Sequence, residues 1–157
     1  MSTPYLLQDA LIDEIKALFV GFETENARGE PAPLNVYPQR LPDKQEEDDS
    51  EHFPYIIVRV MDGGTAGEDE AATCKIGLIV GVYDESSDQQ GHRTVLNILR
   101  RIETHFFTKR FVDRKYQIVY PYDWTLYEDD TAPFYFGGAE TNWLLPAVRQ
   151  EVDLFGD

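Results

Sequence analysis

Cationic residues are scarce in this chain. Its 157 residues hold 14 Lys and Arg against 29 Asp and Glu, a formal net charge of -15 at pH 7. Such a molecule repels phosphate backbones wherever salt does not screen it, which disfavours groove binding to DNA or RNA. Cysteine is scarcer still. Cys74 stands alone, so no internal disulfide can form, and its neighbours in "CKIGLIVGVY" have the composition of a buried strand rather than of an activated thiol site. A reducing interior such as a cytoplasm fits. Long apolar runs are missing too: none approaches the roughly 20 residues of a membrane span, and the first segment, "MSTPYLLQDALIDEIKALFV", carries acids where a signal peptide needs bases. The expectation is a soluble protein with no membrane partner.

The 42% hydrophobic content is enough for one core, and the length suits a single domain over residues 1–157. Thr3 and Pro4 fit the N-cap and first position of a helix over about residues 4–20, with Leu7, Leu11, Ile15 and Leu18 as its apolar stripe. "ETENARGEPAP" reads as a loop, and "LNVYP" (34–38) as a short strand. "FPYIIVRVMD" and "CKIGLIVGVY" alternate as strands, the second central, with Gly77 and Gly81 leaving room on one face that an aromatic ring can fill. Val95, Leu99, Ile102 and Phe106 define a second helix over about residues 88–108, with Asp88 as the N-cap. "KYQIVYPYDW" reads as a strand in which Pro121 marks an edge or a bulge, and "AETNWLLPAV" (139–148) as the last strand. The expected fold is α+β, a mostly antiparallel sheet of about four or five strands with two helices on one face, in the order α-β-β-β-α-β-β. Two acidic segments, about 43–51 and 63–73, are expected to be mobile loops.

Each chemical possibility has a plain structural rival. Asp84, Asp88 and His92 are the nearest thing to a metal set, but no His-x-x-x-His or Cys-x-x-Cys pair supports them, and a capping corner needs the same residues. An EF-hand starting at Asp84 would have Gln89 at the glycine position and Val95 at the closing glutamate, which breaks its geometry. Ser86 and Ser87 lack the nucleophile elbow Gly-x-Ser-x-Gly. Gly63, Gly64 and Gly67 precede Glu68, Asp69 and Glu70, where a phosphate would meet repulsion. The run Glu46, Glu47, Asp48, Asp49 and the pair Asp9 and Asp13 read as solvated surface, and His92 and His105 as surface or boundary residues. No catalytic, metal or cofactor residue is assigned, and the expectation is that the protein is not an enzyme.

The unabsorbed signal is aromatic. Phe134, Tyr135, Phe136 and Trp143 crowd the C-terminal part; they either complete the monomer core or form a subunit interface. The segments "PYIIVRVMDGG", "IGLIVGVYDESSDQQGHRTVLNILRRIETHF" and "FYFGGAETNWLLPAVRQEV", with the pattern of the first helix, resemble the tail-terminator (tail-completion, head-tail joining) proteins of tailed bacteriophages. The resemblance spans about residues 54–152. Its most specific elements are Val82-Tyr83-Asp84, then Gly91 and Val95-Leu96-Asn97, with Trp143-x-x-Pro146-x-Val148 in support. The chain departs from that pattern at 43–51 and in the arm at 63–73.

The resemblance implies a non-enzymatic virion protein of the tail neck, assembled in the bacterial host cytoplasm. It implies a ring, commonly a hexamer, that caps the tail-tube protein, stops tube polymerisation and offers the head connector a docking surface, while DNA passes through unbound. On that reading Phe134, Tyr135, Phe136 and Trp143 are subunit contacts, the 63–73 arm reaches tube or neck, and Glu46, Glu47, Asp48, Asp49, Glu68, Asp69 and Glu70 keep passing DNA from sticking. Two alternatives use the same acidity: a small acidic metal-binding protein or enzyme, which would be monomeric and melt in a metal-dependent way, and an acidic DNA mimic, which would array carboxylates on ordered elements.

Overall fold

The computed structural model describes residues 3–42, 52–127 and 131–147. Its first helix, α1 (Pro4–Leu18), begins as the sequence suggests: Thr3 is the N-cap, its Oγ1 accepts the Leu6 N–H at 3.4 Å, and proline opens the first turn. Leu7, Leu11 and Ile15 are buried on one stripe, each contributing about 1.5–3 kcal/mol of apolar transfer. Strands β1 (Glu23–Glu25), β2 (Pro31–Pro33), β3 (Asn35–Pro38), β4 (Tyr55–Gly64) and β5 (Ala72–Tyr83) follow. After helix α2 (His92–Lys109) come β6 (Phe111–Val112), β7 (Tyr116–Leu126) and β8 (Phe134–Leu145).

The class is α+β with two helices, but the sheet has eight strands among the described residues, not four or five. The extra ones are short. "ETENARGEPAP", expected to be a loop, holds β1 and β2, three residues each and paired antiparallel, with the turn tied by Asn26, whose Oδ1 accepts the Arg28 and Glu30 N–H groups. Strand β6 has two residues. Segments this short display no alternation to read. The 34–38 strand is present as β3 and is parallel to β4, while the other pairings are antiparallel.

β5 is the middle of the assembly. One edge pairs with β8 from Ala72↔Leu145 to Tyr83↔Phe134; the other pairs with β4 and then, at Tyr83, with Glu25 of β1. Cys74, Ile76, Leu78, Val80 and Val82 face both helices and are buried with Leu11, Ile15, Leu99 and Ile102. On the opposite face, Phe53, Tyr55 and Ile57 form a second cluster with Phe134 and Phe136 packed against it. Both expected openings over glycine are filled: the Tyr55 ring lies over Gly81, and Met61 Sδ lies 2.9 Å from where a Cβ on Gly77 would sit.

Three boundaries differ from expectation. The 63–73 arm is shorter, because β4 continues through Gly64 and β5 starts at Ala72; Thr65 to Glu70 is its exposed tip. The last strand begins at Phe134, five residues earlier than the alternation of "AETNWLLPAV" showed, because Gly137 and Gly138 interrupt that alternation. Helix α2 starts at His92 behind Gly91, not at Asp88; Asp88 Oδ1 accepts the Gln90 N–H at 3.3 Å and so shapes the preceding turn. The Tyr135 ring presses directly on Gly91, where any Cβ would overlap it. Gly91→Ala is therefore expected to lower the unfolding free energy by about 1–3 kcal/mol, whereas Gly64→Ala, which adds a methyl in open space, changes it far less. Urea denaturation of the two variants beside the parent checks this.

Candidate interaction surface

The sequence-derived residues end up in different places. Trp143 is only 1% exposed, its indole Nε1 donating to Thr141 Oγ1 at 2.8 Å, while the Thr141 hydroxyl donates to the Ile76 carbonyl at 2.8 Å. It completes the monomer core against Phe106, with ring centroids 5.6 Å apart, and has no surface for a partner. Phe134 and Phe136 lie on the other face of β8, half-buried against Phe53. Tyr135 points to the helix side, over Gly91. The four aromatics thus form no common patch.

The acidic candidates divide as well. Glu46, Glu47, Asp48 and Asp49 lie outside the described residues. Glu68, Asp69 and Glu70 are exposed at the β4–β5 tip, where the Glu70 N–H reaches the Gly67 carbonyl at 3.3 Å and Asp69 has a φ of 61°. Asp84 and Asp88 each accept a backbone N–H two residues on. Among the described residues no group of three or more His, Cys, Asp or Glu is placed to hold a metal ion, and no helix is long and apolar enough to cross a membrane. His105 is a boundary residue whose Nε2 lies 2.8 Å from Glu14 Oε2, while Lys109 Nζ reaches Glu14 Oε1 at 2.9 Å; the two pin α2 to α1. Asp9 and Asp13 line a cleft of about 1060 Å³ between α1 and the β6–β7 turn.

The surface that sequence reasoning missed runs along β7. β6 pairs with β7 only at Tyr116 and Gln117, and the Ile118 N–H reaches the Arg110 carbonyl at 3.0 Å. Beyond that point no strand among the described residues covers the outer edge of β7, so from Val119 to Leu126 the strand is paired on its β8 side alone. Large aromatics crowd this edge and its ends: Tyr120 is 67% exposed, Trp124 53%, Tyr127 46% and Phe111 45%. Tyr120 stacks on Phe107 at 4.2 Å between centroids, and the Arg110 guanidinium lies over both rings. Next to Trp124 and Tyr127 a hollow of about 630 Å³ opens toward His92 and Tyr135. In the sequence Pro121 already marks this strand as an edge or a bulge, since a proline within a strand belongs at one or the other, but the exposed aromatics beside it are not read there as surface. Here the proline is at both. The register with β8 slips between Val119 and Asp123, and the Asn142 side-chain amide donates to the Pro121 carbonyl at 2.9 Å.

At the opposite margin, the β4 edge is closed by a side chain. β3 pairs with β4 only as far as Val58. There Gln39, held at a φ of 68°, turns its amide onto Val60: Oε1 accepts the Val60 N–H at 3.1 Å and Nε2 donates to the Val60 carbonyl at 3.0 Å. The buried Gln8 of α1 donates to Gln39 Oε1 and to the Val58 carbonyl, both at 2.8 Å. The β4 margin is thus capped at Val60, while the β7 margin is open. No family model and no curated protein matches the chain.

Tyr122 fixes the open strand to α2, its hydroxyl donating to the Leu99 carbonyl at 2.8 Å. Burial, with a smaller push from the Glu103 carboxylate and opposition from Arg100, raises this phenol above its ordinary value of 10.0. A folded-state value above the unfolded one means stability that is complete below about pH 10 and is lost as pH rises past it. Tyr122→Phe is expected to cost about 1 kcal/mol at pH 8 and to lose less stability than the parent between pH 8 and 11, as read from denaturant midpoints at the two pH values.

Proposed function

We propose that this chain is a structural, non-enzymatic ring subunit that caps a phage tail tube, ends tube polymerisation and offers a docking surface to the head connector. The observation that carries the reading is the uncovered β7 edge with Tyr120, Trp124 and Tyr127 exposed beside it. An unpaired strand rimmed by large aromatics is a surface that other copies bury. The motifs behind the family resemblance support the same reading. Val82-Tyr83-Asp84 closes the central strand, Gly91 seats Tyr135 at the head of α2, and Trp143 anchors β8 in the core. The strong negative charge complements it, since acidic walls let a polyanion pass without binding.

Subunit contact then belongs to Tyr120, Trp124 and Tyr127, with Tyr135 and Phe136 lining the hollow beside Trp124 and Tyr127. The cap works by asymmetry: one ring surface fits the last tube ring, and the opposite surface offers no site for another tube subunit. Electron microscopy of the purified protein, alone and with purified tail tubes, tests the proposal. Rings at high concentration and density at one tube end are expected, and Tyr120→Glu combined with Trp124→Glu should abolish rings while leaving the circular dichroism spectrum unchanged. A parent protein that stays monomeric at high concentration and leaves tube ends bare would refute it.

A further inference from the structure

The open margin and the capped margin of the sheet carry opposite charge at the same end. Residues 62–70, at the end of β4 and the tip beyond it, hold Asp62, Glu68, Asp69 and Glu70 and no base; residues 109–115, around β6, hold Lys109, Arg110, Arg114 and Lys115 against the single Asp113. The registers set their relative height. The tip joins β5 at Ala72, which pairs with Leu145, and the next β8 residue, Leu144, pairs with Gln117, just past the β6–β7 turn. Acidic tip and basic turn therefore sit at one end of the sheet, on opposite lateral margins.

Part of the basic group is used within the chain. Lys109 holds Glu14, and Arg110 covers Phe107 and Tyr120. Lys115 has a long 3.7 Å contact to Asp113 and lies over the Tyr116 ring at 5.6 Å, and Arg114 is exposed without an ion pair among the described residues. The cleft beside α1 lies between this turn and Asp9 and Asp13; Glu14 pairs with His105 and Lys109 at its wall, but among the described residues neither Arg114 nor Lys115 forms an ion pair with Asp9 or Asp13. The same holds for Glu68, Asp69 and Glu70, none of which has an ion-pair partner among the described residues. Each margin also carries one exposed apolar residue near this end, Met61 and Phe111, both 45% exposed.

A molecule with a net charge of -15 repels its own copies, so association needs a locally positive surface that meets a negative one. We propose that neighbouring copies dock side by side, the acidic β4–β5 tip of one against the Arg114–Lys115 turn of the next, with the β7 edge enclosed between them. Patches on opposite margins but at one height keep all copies the same way up. Such a contact is head-to-tail, the kind that closes a ring when the rotation between copies closes. This rests on the ring reading above and gives the tip a partner in the adjacent copy rather than in the tube, neck or hole.

The test is charge reversal in the full chain. One variant carries Glu68→Lys and Glu70→Lys; the other carries Arg114→Glu and Lys115→Glu, with folding checked closely because Arg114 has a φ of 60°. Association is measured by sedimentation at low and at raised salt, and thermal melting reports folding. Each variant alone should associate roughly tenfold or more weakly than the parent. An equimolar mixture of the two should recover association, because each tip then meets a turn of opposite sign, and raised salt should weaken the parent. If the parent forms rings that neither reversal affects, or the mixture fails to recover, this interface is wrong while the ring reading stands. If the reversals act as expected but rings ignore tube ends, the interface stands and the capping role falls. A parent that never associates refutes both, and loss of duplex DNA retention in the turn variant with unchanged association would assign the turn to nucleic acid instead.

Discussion

The structure depends on a central strand enclosed on four sides. β5 is hydrogen-bonded along both edges and packed on both faces, by the two helices on one and by the Phe53–Tyr55–Ile57 cluster on the other. A strand so enclosed leaves no room for a register slip, since moving one residue would turn Lys75, Gly77, Ile79 and Gly81 under the helices in place of Ile76, Leu78, Val80 and Val82. The glycines tighten this constraint from the other side. Tyr55 occupies the space over Gly81, so only one alignment of β4 on β5 lets that ring lie flat.

From that strand the two margins diverge. Toward β4, the chain spends two glutamines on closing the sheet: Gln8 is almost fully buried, and satisfies itself on Gln39 and on the Val58 carbonyl. Toward β7 it leaves the outer edge of Val119 to Leu126 without a strand among the described residues and sets aromatics beside it. The asymmetry gives the monomer a left and a right, which an assembly of identical parts needs if it is to be cyclic rather than paired face to face.

Much of this was legible in the residues. Period-four apolar spacing located both helices, alternation located β4, β5 and much of β7, and the gaps at Gly77 and Gly81 foretold close packing. What was hidden depends on tertiary context. The three-residue strands β1 and β2 exist because β5 extends far enough for Glu25 to pair with Tyr83. The start of α2 is set by the ring of Tyr135, more than forty positions away in sequence. Trp143 and Phe136 belong to the same aromatic cluster in sequence, yet the pleat sends them to opposite faces of β8. The exposed aromatics at 120, 124 and 127 were invisible as surface because exposure depends on which strand lies last, and that order is fixed by pairings far apart in the chain.

The Gln39 amide has a wider meaning if, as proposed, copies meet at sheet margins. By occupying the donor and acceptor of Val60 it interrupts the ladder along which a foreign strand could zip, much as a stopper ends a thread. Contact at that margin must then be made by side chains instead of a continuous backbone ladder. Joints of that kind come apart and re-form, so a misjoined copy can leave before it hardens into a fibre.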